Sequence, residues 1–252
     1  MILEFSEKGI VFFPDPYLVG TPAEYGLEFE EVWFDAADGV KLHGWWVPRA
    51  GAPVLVWFHG NAGNISHRLE NIKLLHDKVG VQVFIFDYRE YGRSQGRISR
   101  EGTFRDAAGA YRYVTETRGV KGSEIVLFGR SLGTALATDL AAQAPCRSLI
   151  LESAFTDSSE MAKLMAPFLF DWRPAVPYDN LGKIDKVKVP VLVIHGSNDE
   201  IIPVDMGRRV FAAAQEPKEL YIIPGAHHND TYVVGGKAYF ERLKAFIFPG
   251  EK

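Results

Sequence analysis

The sequence predicts an α/β fold built on an eight-stranded, mostly parallel sheet flanked by helices. Three observations predict it. Five short, almost unbroken apolar runs, at 53–58, 81–86, 125–128, 148–151 and 190–194, read as strands covered on both faces. Segments with helical spacing, at 66–79, 103–117 and 132–144, fall between the first four runs. That alternation implies parallel pairing through right-handed crossovers. Ahead of the runs, 29–35 and 40–48 flank Asp38-Gly39, and Asp-Gly between alternating apolar residues is a strong hairpin cue. After the last run come a helix at 206–214, the eighth strand at 220–223 and a closing helix near 237–248. Gly and Pro are spread along the whole length as punctuation, and no repeat or linker interrupts them, so residues 1–252 are expected to form a single domain.

Composition excludes several classes of function. The chain has 28 Lys+Arg against 32 Asp+Glu, a formal charge of −4, with 47% hydrophobic residues. Disorder needs less apolar content and more net charge. Cys146 is the only cysteine, so no internal disulfide can form. A slightly acidic balance leaves no electrostatic footprint for nucleic acid. No apolar run reaches the roughly 20 residues that span a bilayer. Glu4, Glu7 and Lys8 break any signal-peptide core at the start. The expectation is a cytoplasmic protein, unless a membrane anchor lies upstream of this chain.

In such sheets the ligand site lies beyond the carboxyl ends of the strands. The run 125–128 leads into Gly129-Arg130-Ser131-Leu132-Gly133, followed by an Ala-rich helix. A nucleophile on so sharp a turn needs residues without bulk two places before and two after it. The helix N-terminus beside it favours developing negative charge. Serine also needs a base, and the base needs an orienting acid. In the order Ser…Asp…His, Asp199 follows the run 190–194 and His228 follows the strand 220–223. An oxyanion hole requires two N–H donors. One is expected from Leu132 and the other from Asn61, in the loop His59-Gly60-Asn61-Ala62-Gly63-Asn64 after the run 53–58.

Each residue also has an ordinary reading. Ser131 is a common type of helix cap. Asp199 suits a turn, with Glu200 and Asp205 as substitutes. His227 competes with His228 through a register error of one. His59 and His195 read as loop-orienting residues, and His43, His67 and His76 as surface or helix positions. No metal-ligand spacing is present, and no metal or cofactor is expected. Cys146 reads as a small residue near a strand. Arg130 either meets an anion or, more commonly for that position, points away beneath the turn.

These motifs resemble the α/β-hydrolase superfamily, in its esterase/lipase branch. The branch has F-H-G-N-x-G-N at the oxyanion loop, D-Y-R-G-Y-G-x-S-x-G after the fourth strand, P-V-L-V-I-H-G-x-x-D before the acid and G-x-H-N-D around the base. The match runs from about residue 12 to 248. The branch is similar to prolyl-oligopeptidase catalytic domains without the propeller. In many relatives a membrane helix precedes F-x-P-D-P, here Phe13-Pro14-Asp15-Pro16. Glu90 stands where the branch has Gly; facing the pocket, its carboxylate would select against anionic substrates. The segment 156–180 occupies the position of a lid, and its apolar residues read either as a pocket wall or as a helix face on the core. Phe155, Met165, Phe168 and Trp172 are the expected pocket residues.

The resemblance and the residue order together imply a serine hydrolase acting on small acyl esters or thioesters. The alternatives are a peptidase or amidase, and a non-catalytic binding protein on the same fold. Expected partners are small acyl substrates, with no nucleic acid and no membrane span.

Overall fold

The computed structural model describes residues 8–165 and 176–250. Eight strands form the central sheet: β1 Glu30–Asp35, β2 Lys41–Val47, β3 Val54–Phe58, β4 Gln82–Phe86, β5 Ile125–Arg130, β6 Ser148–Glu152, β7 Val191–Gly196 and β8 Lys218–Ile223. Their spatial order is β8-β7-β6-β5-β3-β4-β2-β1. Only the pairs β1–β2 and β2–β4 run antiparallel. The rest are parallel, as the crossover argument requires.

The helices are α1 Leu69–Leu74, α2 Arg100–Arg112, α3 Gly133–Ala141, α4 Ser158–Met165, α5 Val204–Ala213 and α6 Thr231–Ile247. They cover both faces of the sheet. Along β3, Val54, Val56 and Phe58 pack with residues of α2 and α3, whereas Leu55 and Trp57 pack with residues of α1 and α6. Successive strand side chains point to opposite faces, so a strand covered twice must be apolar at every position. That is why the period-2 signal is absent from these runs.

Several boundaries differ from expectation, each for a local reason. The segment 66–79 is no single helix; a 3-10 turn at Ile65–Arg68 precedes α1 and a π-turn at Leu75–Val79 follows it. Helix α2 starts three residues early because the Ser99 hydroxyl accepts the Gly102 N–H at 3.1 Å and caps it. Helix α6 starts at Thr231, six residues early. Gly235-Gly236 hides its first turns, and Gly236 breaks the helix internally at φ 50°. His43, expected at a surface or helix position, is fully buried in strand β2, with Nε2 3.1 Å from Glu31 Oε1. A two-residue parallel pairing of Phe13–Pro14 with Ala62–Gly63 fastens the N-terminal segment to the loop after β3. Nothing in its residue pattern announces it. No helix among the described residues is long and apolar enough to cross a membrane.

Candidate active site

Strand β5 delivers Ser131 into α3 through one residue of left-handed backbone, Ser131 φ 53°. Two glycines make that turn sterically possible. A Cβ on Gly129 would lie 2.6 Å from Gly133 O and 2.7 Å from Thr134 Cα. A Cβ on Gly133 would overlap the Phe58 carbonyl. The Ser131 N–H donates to Glu152 O at 2.9 Å, fixing the turn to the neighbouring strand β6. On the other side a Cβ at Gly60 would sit 3.4 Å from Ser131 Cβ, so the loop after β3 passes directly over the hydroxyl.

Loops after β7 and β8 bring the other two residues to the same place. His228 Nε2 lies 3.1 Å from Ser131 Oγ, and its Nδ1 lies 2.8 Å from Asp199 Oδ2. A carboxylate only accepts, so Nδ1 carries the proton and Nε2 is left to accept from the hydroxyl. His227 turns outward instead and meets Glu200 at 3.1 Å. The Asp199 side chain is fully buried. Burial alone would raise its carboxyl, but hydrogen bonding with His195 and His228 and from the Ile202 N–H outweighs burial and holds it well below the usual carboxylate range.

A depressed folded pKa stabilises the protein above the unfolded value and loses that contribution as pH falls through the folded one. Asp199→Asn is therefore expected to be less stable than wild type above about pH 5, with the difference shrinking as the pH drops below about 4. Urea unfolding at pH 3, 5 and 7 measures this; a deficit independent of pH contradicts it.

The loop after β3 is held by its carbonyls. Asn61 O accepts from the Phe13 N–H at 2.9 Å and from the Tyr91 hydroxyl at 2.6 Å, and His59 O accepts from the Tyr88 hydroxyl at 2.8 Å. The backbone N–H groups of Asn61 and Leu132 meet no acceptor among the described residues. His59 is fully buried and donates Nδ1–H to Gly60 O at 2.7 Å. Burial, with the nearby Arg68 charge, lowers its pKa to about 3, so it shapes the loop as a neutral ring.

A second network was not foreseen from the sequence. Arg130 points neither out to an anion alone nor away beneath the turn. Its Nη2 donates to His228 O at 2.9 Å, and its Nε sits 3.1 Å from Glu152 Oε1. Glu152 is fully buried and also accepts from the Thr231 hydroxyl at 2.6 Å and from the Tyr239 hydroxyl. This network joins the turn at Ser131 to the loop carrying His228. The available signal was a glutamate closing the apolar run Ser148-Leu-Ile-Leu-Glu152.

A cavity of about 400 Å³ opens over Ser131. Phe155 and Met165 line it, together with Met161 and Tyr178. Phe168 and Trp172 lie outside the described residues. Met161 also packs against the core, so α4 combines both readings of this segment. Glu90 does not line the cavity. It has φ 69°, where the resembling branch places Gly, and its carboxylate binds the Ile98 N–H at 2.8 Å and the Lys8 ammonium. Arginines line the cavity instead: Arg68, Arg100 and Arg130.

A serine on a strand-to-helix turn at the centre of an eight-stranded, mostly parallel sheet is the plan of the α/β hydrolases, and the chain belongs to that family. The family model described as alpha/beta hydrolase fold matches residues 53–183. WAV2 of Arabidopsis thaliana, an alpha/beta hydrolase domain-containing protein, is 33% identical over 98% of this chain and 89% of its own length. Rv2307c of Mycobacterium tuberculosis is 34% identical over the same shares. Among solved structures, the Pyrococcus furiosus esterase Pf2001 superposes with a TM-score of 0.78 at 20% identity, over 93% of this chain and 98% of its own.

Proposed function

We propose that the protein is a serine hydrolase that cleaves carboxylic ester or thioester bonds of small acyl substrates through an acyl-enzyme. The observation that carries this is the continuous relay from Ser131 Oγ through His228 to Asp199, with contacts of 3.1 and 2.8 Å. The fold likeness to the Pf2001 esterase supports the same reading, as does the resemblance of the loop at His59–Asn64 to the esterase/lipase branch. The chain is taken as one hydrolase domain in which the described part of the short segment 156–180 borders the pocket.

In this mechanism Ser131 Oγ bonds to the substrate carbonyl carbon while its proton passes to His228 Nε2. Asp199 stabilises the resulting imidazolium. The carbonyl oxygen becomes an oxyanion, held by the Asn61 and Leu132 N–H groups, which have no acceptor among the described residues to give up. When the tetrahedral intermediate collapses, the bond to the alcohol or thiol breaks and His228 returns the proton to it. Water then repeats the sequence against the acyl-serine, activated by the same imidazole.

The test is a fluorophosphonate probe applied to the folded protein, with the modified peptide identified by mass spectrometry. Labelling is expected at Ser131 alone, together with turnover of p-nitrophenyl butyrate. A folded protein that neither labels there nor turns over the ester is a binding protein on this fold.

A further inference from the structure

We propose that the departing half of the substrate carries an anionic oxyacid group, a carboxylate or a phosphate, received between Arg68 and Arg130. The inference rests on the hydrolase reading above. The chain as a whole carries a charge of −4, yet the described lining of the cavity contains three arginines and no aspartate or glutamate. The net charge of the whole chain thus has the opposite sign to that of the site.

Arg68 lines the cavity with little to compensate its charge. Arg89, Arg93, Arg105, Arg118, Arg209 and Arg242 each meet a carboxylate within 3.2 Å. Arg130 has Glu152. Arg68 meets no carboxylate within 4.0 Å among the described residues; its one hydrogen bond runs from Nη2 to Ala62 O at 2.8 Å, and its buried Nε has no acceptor. Burial and the nearby Arg130 charge push its pKa down to about 10, which leaves it cationic at neutral pH. A largely desolvated cation without a counterion is unfavourable, and an arriving anion removes that penalty. Guanidinium groups also match the planar or tetrahedral oxygens of carboxylate and phosphate through paired N–H donors.

The position of Arg130 decides which half of the substrate bears the anion. Arg130 Nη2 holds His228 O at 2.9 Å and sits 3.3 Å from Asn229 Oδ1. In the mechanism His228 hands its proton to the departing oxygen or sulfur, so the departing half lies on the His228 side. Apolar residues, with Phe155, Met161 and Met165 among them, form the wall available to the acyl chain. The acyl group is then uncharged and the leaving group anionic.

Two matched pairs of esters test this: 4-(butyryloxy)benzoate against its methyl ester, and glycerol 3-phosphate monobutyrate against monobutyrin. Rates are normalised to uncatalysed base hydrolysis. Wild type is expected to favour at least one anionic member by about tenfold in kcat/KM, mainly through KM, the size of one charge-assisted hydrogen bond. The pair that shows the preference identifies carboxylate or phosphate as the source. Arg68→Gln should bring the ratio to within about twofold of one, Arg68→Lys should keep its direction, and Arg68→Glu should reverse it. The preference should also shrink at high ionic strength. Equal cleavage of charged and neutral members by wild type overturns the inference and leaves the hydrolase reading intact. A preference unchanged in folded Arg68→Gln and Arg68→Glu overturns it too. Absence of any ester cleavage removes the hydrolase reading, and the inference with it.

Discussion

Replacement of Ser131 by alanine is expected to lower kcat/KM for p-nitrophenyl butyrate by about 10⁴-fold or more, because in the proposed mechanism it removes the nucleophile and with it the whole covalent route. The variant isolates chemistry from folding. Ser131 occupies left-handed backbone at φ 53°, and alanine has the same Cβ, so the strain of the turn is unchanged. Among the described residues the hydroxyl's one partner is His228 Nε2, and the turn itself is held by the Ser131 N–H to Glu152 O. Thermal stability should therefore stay within a few degrees of wild type while the rate collapses. A folded variant with activity within about tenfold of wild type would exclude Ser131 as the nucleophile.

Gly133→Ala should produce the largest loss of stability from a single methyl group. Its Cβ would overlap the Phe58 carbonyl and lie 2.8 Å from His59 O. Both are backbone atoms at the end of β3, a central strand hydrogen-bonded to β4 and β5. Neither can rotate aside as a side chain would. Alanine is the better helix former, by about 1 kcal/mol over glycine, so propensity alone predicts a gain. The steric term is larger: forcing α3 off the sheet is expected to cost about 3 kcal/mol or more. For a chain of this size that lowers Tm by roughly 6–12 °C. Activity should fall with it, since α3 and β3 carry Ser131 and the Asn61 loop. Gly225→Ala provides the contrast. No atom lies within 4 Å of its would-be Cβ, and its φ of 77° leaves only backbone strain, about 1 kcal/mol. A Tm for Gly133→Ala within about 2 °C of wild type would show that the sheet yields where this packing says it cannot.

The strands and most of the helices were legible because their signals are local. A five-residue apolar run bounded by turn residues reads as a buried strand wherever it pairs, and all eight strands formed. Ser131, Asp199 and His228 could be named from their order and from the strand each one follows. Their separations of 3.1 and 2.8 Å exist only once β5, β7 and β8 lie in one sheet. Where reading failed, the deciding interaction was distant in the chain. His43 read as a surface or helix position because nothing near it in sequence shows that β2 is sandwiched between β1 and β4. Whether Glu90 faces the pocket was open in the sequence; Lys8 and the Ile98 N–H claim its carboxylate.

By itself, then, the sequence determined the α/β plan, the sharp turn at Ser131 and the chain order of the residues around it, all matters of short-range pattern. The tertiary structure alone decided that Glu152, Arg130 and Tyr239 form one buried network, and that a chain of net negative charge lines its cavity with arginines. The physical reason is that a charged side chain has the same identity in water or in the interior. Its desolvation and its partners, 22 residues away for Glu152 and Arg130 and 87 for Glu152 and Tyr239, are properties of the packed chain.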